Sequence, residues 1–408
     1  MKRIVFISML LAIASCSKIH SEEPVANNER HEIVITKAQA EYVVANNDFA
    51  ARLTGEVAKS GKSFVISPLS VYYALSMLCN GADGETQEEL LHALGYGADE
   101  IGDVNEFCKY LFAELTAADK TTKLSLANAF IYNSAMMDAK DGYKTALTNY
   151  YDALVKGFDF AGENKVALSF VNDWAEENTQ GMIPELLHDL SPEAMAMLIN
   201  AVFFDGKWAN VGFKKSDTRK EVFTTADGEE KRMDMMNTEA EMLYFSNESF
   251  ARAQLPYGNG AFVMNIILPH MGKTVEEVLP ACHFGPTFGL LKNVQLRMPR
   301  FTTEAYTDLI PVLKSLGIGK AFSSNGDFSL ISDRPMIINK CFQKSRFEAD
   351  EEGTKAAAVT LVNFMAGAPL SPAVDRGPVP FHVTRPFIYE IVETSTDAIL
   401  FTGVFRGE

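Results

Sequence analysis

The sequence predicts an α+β fold in one large domain, and three observations carry that prediction. Helical periodicity dominates the first third, short apolar strands are interleaved through the remainder, and the two do not alternate strictly as a parallel βαβ architecture requires. No internal repeat or linker divides residues 38–408, and 47% of the 408 residues are hydrophobic, enough to bury a substantial core.

Phe49, Leu53 and Val57 recur at i, i+4 and i+8 along one helix face. Ser67-Pro68 reads as an N-cap followed by a first-turn proline and opens a second helix. Asp83-Gly84-Glu85-Thr86 opens a third, which Gly95 ends. Strands are predicted over 124–132, 196–204, 252–255 and 261–268, the last closed by Pro269. Two more, over 387–392 and 399–405, flank a Ser395-Thr396-Asp397 turn.

The formal charge of −16 makes nucleic acid and anionic surfaces poor partners for the body of the chain. At the N-terminus Met1-Lys2-Arg3 precedes an apolar run over 4–15 too short for a stable span, and Ile13-Ala14-Ser15-Cys16 follows. That tetrad resembles the lipobox of bacterial lipoproteins. The resemblance implies a signal peptide over 1–15 and lipid on Cys16 as the only membrane attachment. It also implies a destination at the outer membrane, facing the surface or the periplasm, with secretion if Cys16 is not lipidated. The polar stretch over 16–37 reads as a flexible tether. Cys79, Cys108, Cys282 and Cys341 permit disulfides, but wide spacing and apolar surroundings favour buried free thiols. No metal, cofactor or phosphate motif is found, and no nucleophile, base and acid set of a hydrolase is visible.

The stretch over 348–362 reads as an acidic strand end, a glycine and a small-residue segment. Taken in twos, Thr354, Ala356, Ala358, Thr360, Val362 and Phe364 form one small or apolar face, and Lys355 puts the only charge on the other. Gly367, Pro369, Pro372 and Gly377-Pro378-Val379-Pro380 then resist sheet structure. The residues alone leave two readings open, an Ala-rich surface loop or helix and an exposed segment able to become a strand.

The wider pattern resembles the serpin family from about residue 40 to 406. Phe64-Val65-Ile66-Ser67-Pro68-Leu69-Ser70, Leu78-Cys79-Asn80-Gly81-Ala82-Asp83-Gly84-Glu85-Thr86, Asn200-Ala201-Val202-Phe203-Phe204-Asp205-Gly206-Lys207-Trp208, Met298-Pro299-Arg300-Phe301, Arg385-Pro386-Phe387 and Leu400-Phe401-Thr402-Gly403 carry it. The resemblance implies a main mixed sheet, two further sheets, about eight or nine helices and an exposed reactive-centre loop over about 351–380. It implies a monomeric inhibitor, not an enzyme: a serine protease cleaves the loop, is held as an acyl-enzyme, and is dragged away as the loop inserts into a sheet. Papain-like cysteine proteases share the acyl intermediate. About 15 inserted residues at ~3.3 Å each give a ~50 Å strand, long enough to cross a domain of this size.

By the same resemblance the hinge comprises Glu351, Glu352, Gly353, Thr354, Ala356, Ala357 and Ala358. The sheet-opening gate comprises Ser67, Ser70, Asn200, Trp208, Arg300 and Gln343, with Arg300 expected to pair with Glu351. Gln343 stands where the family usually has His, which keeps the hydrogen-bonding capacity and removes the pH sensitivity. Counting from Gly353 sets the cleaved bond near Gly367-Ala368, with Phe364, Met365 and Ala366 as further candidates. Such residues suit chymotrypsin-, elastase- or subtilisin-like proteases, and trypsin-like enzymes are expected to cut at Arg376 without being trapped. A non-inhibitory member acting as a binding protein or chaperone is the alternative.

Overall fold

The computed structural model describes residues 28–282, 289–353 and 377–407. Cys16, Thr354, Ala356, Ala357, Ala358, Phe364, Met365, Ala366, Gly367 and Ala368 lie outside the described residues. The first half of the chain runs α1 (Lys37–Ala58), β1 (Phe64–Ile66), α2 (Pro68–Cys79), α3 (Gly84–Ala93), α4 (Ile101–Ala117), β2 (Lys123–Asn133), α5 (Asp141–Tyr151), β3 (Leu154–Phe158), α6 (Asn164–Asn178) and β4 (Ala196–Asp205). Then come β5 (Arg219–Thr224), β6 (Glu230–Ser246), β7 (Phe250–Tyr257), β8 (Phe262–Pro269), α7 (Val275–Val278), β9 (Leu290–Pro299) and β10 (Phe301–Asp308). The chain closes with α8 (Leu309–Ser315), β11 (Phe342–Ala349), β12 (Val379–His382), β13 (Phe387–Glu393) and β14 (Ile399–Phe405).

Local chemistry explains the early helices. Thr36 and Gln39 form a capping box at the start of α1, which buries Phe49, Leu53 and Val57 as their spacing predicts. At α2 the Ser67 hydroxyl accepts from Ser70 N and Pro68 occupies the first turn, where its missing N–H is harmless. Asp83 caps α3, and Gly95 leaves it at φ 90°, a left-handed conformation that glycine adopts without strain.

The strands form three sheets. The largest has nine strands in the order β1-β14-β13-β8-β7-β6-β9-β12, with β5 added alongside β6; β12 runs parallel to β9, so the sheet is mixed. A three-stranded sheet, β3-β2-β4, and a two-stranded sheet, β10-β11, complete the set. Phe301 and Phe347 of the two-stranded sheet pack on Tyr389 of β13, with ring centroids 5.1 and 4.8 Å apart, and this anchors the pair to the largest sheet.

The thiols of Cys79, Cys108, Cys282 and Cys341 are all free. Burial pushes those of Cys108 and Cys341 up to about 12, so they stay protonated and inert at neutral pH. One expectation needs correction. The stretch read as free tether, 16–37, is docked from Asn28 onward: Ile33 is buried, its amide donates to Ser395 Oγ at 3.0 Å, and α1 begins at Lys37. Ile33-Val34-Ile35 is too short an apolar run to show helical or strand periodicity, so nothing in the residues signalled that docking.

Candidate functional site

Strands β4 and β11 face one another without a ladder between them: among the described residues β4 pairs only with β2, and β11 only with β10. Between these two unpaired edges lies a cavity of about 690 Å³, with Leu75 and Leu78 of α2, Asn200 and Val202 of β4, and Gln343 and Ser345 of β11 among its walls. A strand edge presents a row of unused N–H and C=O groups, and two such edges flanking one gap make a slot for a strand.

The top of the slot is closed by a clamp. Gly353 bridges Lys207, just beyond the end of β4, and also Asp350, just beyond β11. Its φ of 103° lies in the region that disfavours any side chain, and an added Cβ would come within 2.5 Å of Gly206 O and 2.7 Å of Trp208 N. Glycine is therefore required twice over, by conformation and by contact. Trp208 stacks on Tyr257 with centroids 4.6 Å apart, and its Nε1–H donates to Asp350 O at 2.8 Å.

Both hinge acids are held. Glu351 is 5% exposed and takes two bonds from Arg300, at 2.6 and 3.2 Å, and one from the Thr218 hydroxyl at 2.5 Å. Burial alone would raise its pKa, but the bonds from Arg300 and Thr218 outweigh that and hold the carboxyl below the usual range. Glu352 pairs with Lys215 at the surface, and this ion pair likewise keeps its carboxyl low. Burial pushes the Asp350 carboxyl up. The sequence reading anticipated the Arg300–Glu351 pair but missed Thr218 and Lys215, because no local pattern links residues so far apart in the chain.

Lower in the slot the residues expected to form the gate divide between its two walls. Gln343 Oε1 accepts from Ser67 N at 2.8 Å and from the Ser345 hydroxyl at 3.0 Å, while its Nε2 donates to Ser67 O at 3.1 Å. Ser67 Oγ donates to Leu400 O at 2.7 Å and accepts from Ser70 N at 3.3 Å. Asn200 does not join them. Its Nδ2 donates to Asn128 Oδ1 at 2.6 Å, and its Oδ1 is buried with no hydrogen-bond partner among the described residues. An unpaired buried carbonyl is uncommon and costs about 1–3 kcal/mol.

A mixed sheet beside two strand edges left open around a clamped slot marks a distinct class of α+β protein. Comparison with known proteins gives the class its family. The family pattern described as "Serpin (serine protease inhibitor)" matches residues 44–406. Iripin-2 of Ixodes ricinus is 32% identical over 377 residues, which cover 90% of this chain and 93% of that protein. The native-state crystal structure of tengpin, a thermophilic serpin, superposes with a TM-score of 0.79 at 28% identity and covers 93% of this chain and 97% of its own. Thyroxine-binding globulin in complex with thyroxine superposes with a TM-score of 0.76 at 25% identity, covering 91% and 99%. The chain belongs to the serpin family.

Proposed function

We propose that this protein is an inhibitory serpin that traps serine proteases, and papain-like cysteine proteases through the same acyl chemistry, by inserting its cleaved loop between β4 and β11. The observation that carries this reading is the slot itself: two unpaired strand edges around a cavity, with Gly353, the last described residue before the loop, fixed between their upper ends. The energy for dragging a protease would come from completing two ladders that the intact protein leaves open.

Register supports it. Gly353 bridges Lys207 on one side and Asp350 on the other, both antiparallel, so each step down the loop matches one step back along β4 and β11. Seven steps on, Thr360 would stand opposite Asn200 and Gln343 at once. Its side chain belongs to the small inward face, and its hydroxyl is the donor that the unpaired Asn200 Oδ1 lacks. One residue would join the two halves of the gate.

The cleaved bond is proposed within Phe364 to Ala368, for elastase-, chymotrypsin- or subtilisin-like enzymes. The protein acts as a monomer without catalytic turnover, and lipid on Cys16 holds it at a bacterial outer membrane, on the surface or the periplasmic face. The thyroxine-binding relative keeps the binding-protein or chaperone reading alive as the second possibility.

The test is incubation with neutrophil-type elastase, chymotrypsin, subtilisin, papain and trypsin, followed by denaturing gels and mass spectrometry of the released C-terminal peptide. The expected result is a detergent-stable band at the summed mass and a peptide beginning between Met365 and Pro369, with trypsin cutting after Arg376 and leaving no complex. Cleavage without a stable complex for every protease would rule out the inhibitory reading.

A further inference from the structure

The residues leading into α1 are fastened to the body beside the hinge. Asn28 Nδ2 donates to Asp119 Oδ1 at 2.9 Å and to Thr121 Oγ1 at 3.0 Å, and its Oδ1 accepts from Lys120 N at 3.2 Å. His31 N donates to Ala118 O at 3.3 Å, and the Tyr110 hydroxyl donates to Val34 O at 2.6 Å. These contacts fall on α4 and on the corner between α4 and β2. Ile33 N, by contrast, donates to Ser395 Oγ in the turn between β13 and β14 of the largest sheet. The segment over 28–35 thus ties the three-stranded half, whose β4 forms one wall of the slot, to the sheet beneath it.

Asp119 is the hub of this attachment. Its carboxylate is 2% exposed and also accepts from the Thr122 hydroxyl at 2.7 Å and from Asn259 N at 3.0 Å. Asn259 follows Gly258 in the turn between β7 and β8. Gly258 sits at φ 47° so close to the carboxylate that an added Cβ would meet Asp119 Oδ2 at 1.8 Å. Gly258 N donates to Lys207 O at 2.8 Å, and Lys207 is the residue bridged to Gly353. A continuous line of contacts, Asn28 to Asp119 to Gly258 to Lys207 to Gly353, joins the first described residue to Gly353 at the base of the loop.

We propose that the segment over 28–35 is a strap that sets how readily the slot opens. Docked on Asp119, it holds the turn between β7 and β8 against Lys207 and keeps the clamp closed; displaced or cut, it lets β4 part from Gly353 and Asp350 sooner. The inference rests on the insertion reading above and adds a control that acts from the N-terminal attachment.

The test uses Trp174→Phe protein, in which Trp208 is the only tryptophan of the two. A synthetic peptide with the sequence of residues 354–366 is added, and its uptake is followed by Trp208 emission and by native gels. Asn28→Ala, which removes three hydrogen bonds at a half-buried position, is expected to take up peptide about fivefold faster, to the same final extent. A chain beginning at Thr36 is expected to be faster still. Equal uptake rates for Asn28→Ala and its parent would overturn the strap whether or not the shortened chain folds. No uptake by any form, the parent included, would overturn the insertion reading and the strap with it.

Discussion

Two buried polar groups, Asn200 Oδ1 and the Glu390 carboxyl, lend themselves to direct tests. Asn200 Oδ1 has no partner among the described residues, and Thr360 is the residue proposed to supply one. Thr360→Val keeps the size and shape of the side chain and removes the donor, so the gain in stability on loop cleavage should fall by about 1–2 kcal/mol, measured as a shift in urea midpoint. An unchanged midpoint would place Thr360 away from Asn200. The second is Glu390 on β13, 2% exposed, which accepts one bond from Asn265 Nδ2 at 2.8 Å and faces Arg252 and Asp397. Burial pushes its carboxyl up from 4.5 to about 7. The folded protein therefore binds this proton more tightly than the unfolded chain. Stability should fall as pH rises from about 4.5 to about 7, by about 3 kcal/mol, and level off above. Glu390→Gln should remove that slope in urea titrations between pH 5 and 8, and a slope that persists would assign it to another group.

At the scale of elements, the proposed event is a loop becoming a strand. Ala358 belongs to the face that would enter the slot, so Ala358→Glu should leave cleavage intact and abolish the stable complex, because a carboxylate would have to be buried beside α2 without a partner. Gels that still show full complex would mean the loop does not insert past this point. Of this part of the molecule, the glycine that follows Glu351 and Glu352 was legible in the sequence, because its positive φ is a backbone demand that few residue types satisfy. The small residues after it lie outside the described residues. The early helices were equally plain, since caps and spacing at Ser67, Asp83 and Phe49 are local signals. Strand β6 was not read, because its residues are mostly charged or polar and only half-buried, which blurs the alternation that marks a strand. The separation of Asn200 from Gln343 was also invisible, since residue types record which groups can bond and not which state of the slot is populated. Asp119 gave no signal either: Thr121 and Thr122 beside it make an ordinary turn, and the partners that set it apart, Asn28 and Asn259, lie 91 and 140 residues away in the chain.

At the scale of the whole molecule, the fold has two strand edges that are unpaired among the described residues around a cavity, and it closes them at one end with Gly353, Trp208 and the Arg300–Glu351 pair. On the proposed reading that arrangement is less stable than one in which a strand fills the slot, and the difference is the energy that an inhibitor of this kind would apply to its protease. On the same reading, the strap over 28–35 and the clamp would determine when the difference is released, and the ladders of β4 and β11 how large it is. The most direct test of this account is the thermal stability of the protein before and after a single cut in the loop by a protease that is not trapped, such as trypsin at Arg376. The account predicts a large rise in melting temperature, by tens of degrees, as the freed loop completes the sheet. A melting temperature that stays the same or falls after the cut would contradict it, and would leave the slot between β4 and β11 as a fixed feature of a binding protein.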